Sequence, residues 1–444
     1  MKIIKLKINC YKSIKEPMIL ELQSPSILIG QNNSGKSNVF DAIEFALGGR
    51  IDDSNIFYEK ADIEIELLFD DHEQDKNNFP DAKATFVLKN QQRKLIFPSQ
   101  EINYNKNLSI LLSSNIKILD QEAFHDYHQI ELDYHSLFNY PINLEKFKEH
   151  LKHNFPKISA TKNALDIRYE NDGLYEGKRR VTIDRLGSGF RRVFTMLLYI
   201  FHPQYSIVMI SEPETHLHPA IIKKLFWAMQ NSNFGQIIFS THSPLFVTPI
   251  SLGHVIRIVK DDNNLTKAFA LDHKKYNYQR LIQELNADNL EMFFTDKVIL
   301  VEGVSDRLLI RGLIDKFYTG QKDIKVIQTH GKGNMKLYVD LLKIFQIPFL
   351  VVFDKDSMKT NHLRDLMYYL QIHLPPLNDY ELINALKKYD IYVFPNGDLE
   401  DNYPRKYQRD DSKTINALKA ANLMTIEDYK SKSMINLKEI IENI

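Results

Sequence analysis

The residues best suited to chemistry in this 444-residue sequence form one octet, Gly30-Gln31-Asn32-Asn33-Ser34-Gly35-Lys36-Ser37. It follows the apolar run 27–29, and after it Val39, Phe40 and Ile43 recur at helical spacing. Glycines and backbone amides at a helix N-terminus form a cradle for phosphate, a lysine reaches the outer phosphates, and a serine hydroxyl ligates Mg²⁺. The octet therefore predicts a nucleoside-triphosphate site with one Mg²⁺. Its expected binding residues are Gly30, Asn32, Asn33, Ser34, Gly35, Lys36 and Ser37, with Ser37 at the metal.

Three later segments extend this site. Gly187-Ser188-Gly189 opens an amphipathic helix and can present backbone amides to an anion. The apolar run 207–210 ends at Glu212, and the apolar run 237–239 ends near His242. Ligands of α/β sheets bind at the carboxyl ends of the strands. We therefore expect Glu212 and His242 to lie at the same edge as the phosphate loop.

The chain resembles the ABC-type ATPases, because it contains a phosphate loop, a glycine-serine helix, an acidic strand end and a histidine in this order. The resemblance implies that the nucleotide is ATP, that Glu212 is the general base and that His242 contacts the γ-phosphate. It also implies that Gly187, Ser188 and Gly189 serve a nucleotide held by a second copy, in a homodimer or higher homo-oligomer formed through this domain. Ser211 stands where the family usually has an acid that assists Mg²⁺. We therefore predict nucleotide binding and leave hydrolysis open.

Two further features have plain structural alternatives. His216 and His218 are close enough in sequence to suggest a metal site, but the same text forms a turn in the related ATPases, and we favour the turn. The stretch 178–192 contains six basic residues and one acid, Asp184. It could contact phosphate or simply face solvent.

Acids that follow three later apolar runs form a second candidate centre. Glu302 follows the run 297–301, Asp354 and Asp356 follow the run 349–353, and Glu400 comes shortly after the run 391–394. In an extended segment Asp354 and Asp356 point to the same side, so both can face one cation. Each acid alone is better explained as a solvated strand end. Together they predict a site for Mg²⁺, which prefers carboxylate oxygens.

This part of the chain resembles a Toprim domain, because Glu302 precedes a glycine turn and Asp354 and Asp356 form a later acidic pair. With Gly331-Lys332-Gly333-Asn334 and Leu399-Glu400, the chain is similar to the overcoming lysogenization defect family, which fuses an ABC-type ATPase to a C-terminal Toprim nuclease. The resemblance implies DNA cleavage with two Mg²⁺ ions. The implied metal and catalytic residues are Glu302, Asp354, Asp356 and Glu400, with Asp306 and Asp401 as weaker candidates. An assisting lysine remains open among Lys406, Lys413 and Lys430.

The leading hypothesis is a Mg²⁺-dependent DNA endonuclease or nickase gated by an ATPase dimer. The resemblance adds an antiphage role of the Gabija or retron-associated kind, with a defence-system partner protein or nucleic acid. The alternative is a non-catalytic, ATP-switched scaffold that binds DNA or senses a partner, and Ser211 favours it. A primase or topoisomerase is a weaker hypothesis, because we expect such enzymes to need further modules after residue 301.

Composition and periodicity give the expected fold class. There are 57 basic and 57 acidic residues, so no global charge attracts nucleic acid, and the single cysteine, Cys10, predicts a reducing compartment. No long apolar run is present, so we expect a cytoplasmic protein without membrane contact. We expect an α/β chain of two domains. The resemblance implies that residues 1–290 form an ABC-type ATPase domain, a mixed sheet with helices, and that residues 291–444 form a Rossmann-like Toprim domain with a parallel sheet and a C-terminal tail. The weak pattern of 101–163 predicts a helical insertion in the first domain.

Overall fold

The computed structural model divides the chain into two compact units, Met1–Lys275 and Tyr276–Ile444. The division precedes Leu290, the boundary expected from the sequence. The ranges that the structure describes are 1–47, 61–69, 80–89, 92–103, 105–156, 158–161, 164–171, 175–185, 187–232, 235–272, 283–410 and 412–444. Within them, none of the helices has the length and apolarity needed to cross a bilayer.

An antiparallel sheet of six strands opens the first unit. Its order is β2-β1-β4-β5-β6-β7. Alternation explains its faces, since Ile63, Ile65 and Leu67 are buried whereas Glu64 lies outside and pairs with Lys7 at 2.8 Å. The strands are β1 (Lys2–Asn9), β2 (Met18–Glu21), β4 (Asp62–Leu68), β5 (Lys83–Lys89), β6 (Gln92–Ile96) and β7 (Glu101–Asn103).

The second sheet of this unit positions the nucleotide site. Its order is β15-β14-β3-β13-β12-β8, with β14, β3, β13, β12 and β8 parallel and β15 antiparallel at the edge. The strands are β3 (Ser26–Ile29), β8 (Ile116–Leu119), β12 (Ile207–Ser211), β13 (Gln236–Thr241), β14 (Val255–Lys260) and β15 (Thr266–Ala270). Strands β3, β12 and β13 are buried almost throughout, as expected for parallel strands covered on both faces. The expected mixed sheet is confirmed.

The segment 101–163 is more than a helical insertion. Its described residues contain three α-helices and a 3₁₀ helix, but they also supply β8, which pairs with β12 in the second sheet. A small antiparallel sheet follows, made of β9 (Ile158–Thr161), β10 (Ala164–Asn171) and β11 (Tyr175–Val181). The side chains of 178–180, three members of the basic run, lie outside those that the structure describes. The helices of this unit are α1 (Lys36–Ala46), α2 (Lys106–Ser114), α3 (Tyr127–Leu137), α4 (Pro141–Asn154), α5 (Ser188–Phe201) and α6 (Pro219–Gln230).

The second unit is built on a parallel sheet of order β17-β16-β18-β19. Its strands are β16 (Lys297–Val301), β17 (Ile324–Gln328), β18 (Phe349–Phe353) and β19 (Ile391–Val393). The helices are α7 (Ala287–Leu290), α8 (Val304–Phe317), α9 (Met335–Ile344), α10 (Asn361–Tyr369), α11 (Asp379–Leu386), α12 (Lys413–Leu423), α13 (Ile426–Tyr429) and α14 (Ile435–Glu442). The expected parallel-sheet domain is confirmed.

The last forty residues form packed helices of this unit. Helix α12 lies against α8 so closely that a Cβ added at Gly312 would be 2.5 Å from the Cβ of Ala421. Ala417 and Ala420 are fully buried in the same core. The expected C-terminal tail is therefore part of the core that supports the acidic strand ends.

Candidate functional site

The phosphate loop has a backbone path that requires its two glycines. Gly30 has φ +152° and Gly35 has φ +104°, and a Cβ at Gly30 would lie 2.1 Å from the carbonyl oxygen of Ile258. Gly35 precedes α1, so the loop joins β3 directly to a helix N-terminus. The exposed residues Asn32, Asn33 and Ser37 border this turn. The cradle therefore fits a bound phosphate group.

Lys36 lies inside the loop. Its Nζ donates to the carbonyl oxygens of Gly30, at 2.9 Å, and Gln31, at 2.8 Å. Burial lowers the pKa of Lys36 to about 8, and Glu212 and Glu214 only partly oppose this effect. The buried Ser34 Oγ has no hydrogen-bond partner among the described residues. The loop thus contains an unsatisfied hydroxyl beside a buried ammonium group, as an anion site should.

The ends of parallel strands bring Glu212 and His242 together as expected. His242 Nε2 lies 3.5 Å from Glu212 Oε1. Burial lowers the pKa of His242, and nearby Lys36 lowers it further. Glu212 has φ +49°, a strained backbone conformation for a glutamate. Such strain at the end of β12 is common where a side chain must be aimed at a ligand.

Arg192 of α5 stabilises this strained turn. Its Nη2 donates to the carbonyl oxygens of Ser211, at 3.0 Å, and Glu212, at 2.6 Å. The guanidinium also stacks 4.0 Å from the ring of Phe124. The helix that begins at Ser188 is therefore tied to the acidic strand end by one buried side chain.

Glu214 is a site residue that the sequence analysis did not single out. Its Oε1 accepts from Thr241 Oγ1, at 2.8 Å, and from the His242 backbone amide, at 2.7 Å. Its Oε2 is buried and has no hydrogen-bond partner in the described part of the chain. Glu214 thereby fixes the backbone that presents the His242 ring.

Strand β8 adds a second overlooked group. It ends beside β12, and the following residues line a polar cavity of about 330 Å³ together with Arg192, Ser211 and Glu212. The residues contributed by the β8 end are Asp120, Gln121 and Glu122. In the sequence, this strand end is indicated only by the four-residue run 116–119 before Asp120, and Lys117 interrupts the apolar pattern of that run.

The glycine-serine helix end faces outward. Gly187 and Ser188 are exposed, and a Cβ at Gly187 would meet no described atom within 4 Å. Gly189 instead lies against His216, whose carbonyl oxygen would be 3.0 Å from an added Cβ. His218 Nδ1 accepts from the Ala220 amide and caps α6, which agrees with a turn.

In the second unit the structure gathers three acids. Glu302 follows β16, Asp354 follows β18, and Asp356 lies in the 3₁₀ helix Lys355–Lys359. One ligand oxygen from each lies within 4.8 Å of the others. The two aspartates were expected on one side of an extended segment, and that local geometry is wrong, because a tight 3₁₀ turn brings Asp356 back to the cluster. Three carboxylates at this spacing suit a divalent ion such as Mg²⁺.

Burial and like charge act together on these acids. Burial, followed by the charges of the nearby acids, raises the pKa of Asp354 to about 7; these acids are Asp306, Glu302, Asp398 and Asp356. Burial also raises the pKa of Glu302, although the Asp354 amide and Lys332 oppose it. A bound cation would relieve this repulsion.

Asp306 and Glu400 lie outside the group of three. Asp306 is buried in the first turn of α8, where Oδ2 accepts from the Gly303 amide at 2.8 Å, and burial raises the pKa of its carboxyl to about 6. The helix begins at Val304 with Gly303 as its cap. Glu400 Oε2 lies 3.2 Å from Lys413 Nζ. Asp401 is exposed and receives a weak hydrogen bond from the Asp398 amide.

The lysines considered for assisting catalysis have different partners. Lys413 bridges Asp398, at 2.9 Å, and Glu400. Lys406 pairs with Asp428 at 2.5 Å, and Lys430 is exposed. Lys332, which the sequence analysis quoted only as part of a motif, forms ion pairs with Asp356 and with Glu302 Oε2, the latter at 3.6 Å.

A nucleotide-type phosphate loop on a mixed sheet, with a separate parallel-sheet unit that gathers acids, defines an ATPase–Toprim class of protein. Residues 26–248, half of the chain, match the family described as "AAA domain, putative AbiEii toxin, Type IV TA system". Residues 293–356 match "Overcoming lysogenization defect protein-like, TOPRIM domain". The chain belongs to the AAA-domain family of the first match and has the ATPase–Toprim architecture of the overcoming lysogenization defect family.

Three curated relatives match parts of the chain. The OLD nuclease of Thermus scotoductus (strain ATCC 700910 / SA-01) is 29% identical over 44% of this chain and 39% of its own length. Endonuclease GajA of Bacillus cereus (strain HuB5-5) is 27% identical over 35% of this chain and 27% of its own length. The Old nuclease of Escherichia phage P2 is 23% identical over 40% of this chain and 34% of its own length. The chain thus spans less than two fifths of these relatives' lengths.

Two solved SMC head domains also resemble the chain. One, in the crystal structure of the SmcHead bound to the C-winged helix domain of ScpA, has a TM-score of 0.45 and 15% identity over 62% of this chain and 99% of that one. The SMC head domain from Thermotoga maritima has a TM-score of 0.42 and 16% identity over 61% of this chain and 100% of that one.

Proposed function

We propose that this chain is a Mg²⁺-dependent DNA endonuclease or nickase controlled by nucleotide bound in its first unit. The convergence of Glu302, Asp354 and Asp356 within 4.8 Å is the observation on which the proposal rests. The names of the relatives, two nucleases and an endonuclease, support the same activity.

The acids would hold two divalent ions. Glu302, Asp354 and Asp356 would hold one, and Glu400, with Asp306 as a weaker candidate, would contribute to a second. When bound, such ions lower the pKa of water and neutralise charge on the scissile phosphate. The buried β16 and β18 strands fix the two acids that follow them, so the ligand set is preorganised.

In the first unit, Gly30, Gly35 and Lys36 would hold the phosphates of ATP, Ser37 its Mg²⁺, and Glu212 and His242 would lie near the γ-phosphate. The exposed Gly187 and Ser188 would complete the site of a second copy, which makes a homodimer or higher homo-oligomer part of the proposal. An antiphage role with a defence-system partner is a further proposal that rests on the family architecture. A cytoplasmic location is a proposal that rests on the single cysteine, Cys10, which suits a reducing compartment.

The test is nicking of supercoiled plasmid by purified protein in Mg²⁺ and in EDTA. We expect relaxation only with metal and its loss in Glu302→Gln and Asp354→Asn. Glu439→Gln is the matched control, because this acid pairs with Lys387 at 2.7 Å in the same unit. Metal-dependent nicking that survives both site variants would overturn the proposal.

A second candidate is a non-catalytic, ATP-switched scaffold that binds DNA or a partner. Ser211 favours it, because an uncharged residue at this strand end weakens Mg²⁺ assistance for hydrolysis. It predicts nucleotide-dependent DNA binding without nicking in any divalent ion, so the same plasmid assay separates the two candidates.

A further inference from the structure

Lys332 occupies the acid cluster itself. Its ammonium pairs with Asp356 and lies 3.6 Å from Glu302 Oε2, so it bridges two of the three grouped carboxylates. The side chains of Lys332 and Glu302 are only 16% and 13% exposed. An ion pair shielded to this degree is stronger than an ordinary surface pair. Lys332 therefore acts as counter-ion to the two acids.

The turn that bears Lys332 does not depend on this ion pair. The Thr329 amide donates to the Val301 carbonyl at 2.9 Å, and the Gly331 amide donates to the Glu302 carbonyl at 3.1 Å. Asn334 Nδ2 donates to Glu284 Oε2 at 2.8 Å. These bonds fix the base of the side chain against β16, while its four-carbon stem remains free to move the ammonium.

The turn also borders open space. Gly331 has φ +111°, and a Cβ added there would meet no described atom within 4 Å. A Cβ at Gly333 would approach only His362 Cε1, at 3.8 Å. Asp356, one of the two partners of Lys332, is 64% exposed, so this end of the ion-pair network borders solvent. The glycine turn beside Lys332 is therefore open to an approaching phosphate group.

A divalent ion and an ammonium group compete for the same oxygens. Mg²⁺ binds carboxylate oxygen at about 2.1 Å with twice the charge of lysine, so it attracts the acids more strongly and repels the ammonium. Lys332 must then leave Glu302 and Asp356 while its backbone stays in place. Its charge becomes available for another anion beside the metal site.

We propose that Lys332 is the resting counter-ion of the acid cluster and that, when a divalent ion binds, it transfers its ammonium to a phosphate of the DNA backbone. The proposal rests on the proposed nuclease function. It couples metal binding to DNA binding through one side chain, since the same event that fills the cluster frees a phosphate ligand.

The first experiment titrates Mn²⁺ into full-length protein without DNA and follows free Mn²⁺ by electron paramagnetic resonance. Lys332→Met keeps the stem and removes the charge, and we expect it to bind Mn²⁺ on the order of tenfold more tightly than wild type. Lys332→Arg keeps the charge and should bind as wild type does. Lys387→Met, which breaks the pair with Glu439, should also match wild type. Unchanged or weaker Mn²⁺ binding in Lys332→Met would overturn the proposal.

The second experiment measures binding of a short DNA duplex by fluorescence anisotropy in Ca²⁺ at several salt concentrations, with a gel to check that the duplex stays intact. In Lys332→Met the slope of log affinity against log salt should fall by about one relative to wild type. An unchanged slope rejects the phosphate contact. Absence of nicking by wild type in Mg²⁺ would reject the nuclease function, whereas intact nicking with unchanged Mn²⁺ affinity in Lys332→Met rejects only the role of Lys332.

Discussion

The backbone amide of Asp354 donates to the Glu302 carboxylate, 3.1 Å from N to Oε1, although 52 residues separate them in sequence. The neighbouring parallel strands β16 and β18 end side by side and create this contact. Ser357 Oγ donates to the same oxygen at 3.0 Å. Oε1 is thus held by the protein, which leaves Oε2, the oxygen nearer Lys332, as the atom to offer a cation.

Asp354→Asn should stabilise the metal-free protein at pH 8. The folded-state pKa of Asp354 is raised to about 7, so its charged form costs stability as pH rises from its unfolded pKa through 7. The neutral amide removes this cost, and we expect the melting temperature in EDTA to rise by about 2–4 °C. The gain should shrink at pH 5, where the wild-type carboxyl is mostly protonated.

Differential scanning fluorimetry with EDTA or Mg²⁺ tests this expectation. Wild type should be stabilised by Mg²⁺, and Asp354→Asn should lose most of that shift. Glu439→Gln serves as the control that retains it. A variant that melts below wild type in EDTA would contradict the repulsion argument.

Metal affinity should increase with pH up to about 7 and then level off. Below that value the Asp354 carboxyl holds a proton that a divalent ion must displace, so affinity falls by up to about tenfold per pH unit. Calorimetric titration of Mn²⁺ between pH 6 and 8, in two buffers of different ionisation enthalpy, measures both affinity and proton release. Equal affinity and no proton release at pH 6 would show that Asp354 is ionised before metal binds.

Much of the site could be predicted because it lies at strand ends. An apolar run identifies a buried strand, and the carboxyl ends of parallel strands share one edge. This rule alone predicts that Glu212 lies near His242 and that Glu302 lies near Asp354. The phosphate loop was equally accessible, because its glycines and lysine have fixed spacing.

The remaining parts depend on contacts that a linear pattern does not encode. Strand β8 is four residues long and includes Lys117, which lies over the ring of Tyr199, so its burial arises from tertiary packing. The anchoring roles of Arg192 and Glu214 require side chains from different elements to meet. For the assisting lysine, the sequence offered Lys406, Lys413 and Lys430, whereas the ion pair of Lys332 depends on the turn after β17.

ATP affinity should fall as pH rises above 8. Burial lowers the pKa of Lys36 to about 8, so the free protein increasingly holds a neutral lysine above that value, and binding of phosphate must take up a proton. Below pH 8 the lysine is already charged and affinity should be nearly constant. Well above pH 8, we expect the affinity for ATP to fall by nearly tenfold per pH unit.

Binding of a fluorescent ATP analogue between pH 7 and 9.5 measures this profile. Lys36→Arg is the matched variant, because a guanidinium stays charged throughout the range, and its weaker binding should be independent of pH. An identical decline in wild type and Lys36→Arg would assign the effect to another group.

Ser211→Asp should increase Mg²⁺-dependent ATP hydrolysis. Ser211 ends β12 beside Glu212, and Arg192 already fixes the carbonyl oxygens of both residues, so a new carboxylate would extend from a backbone that is held in place. The polar cavity of about 330 Å³ that Ser211 lines has room for the larger side chain. A carboxylate at this position would assist the Mg²⁺ of the proposed ATP site, and we expect a rise in the turnover rate of about tenfold. Ser211→Asn has the same size without the charge and should remain near wild type. Equal stimulation by both variants would attribute the change to side-chain volume, and no stimulation by Ser211→Asp would mean that charge at this strand end does not limit hydrolysis.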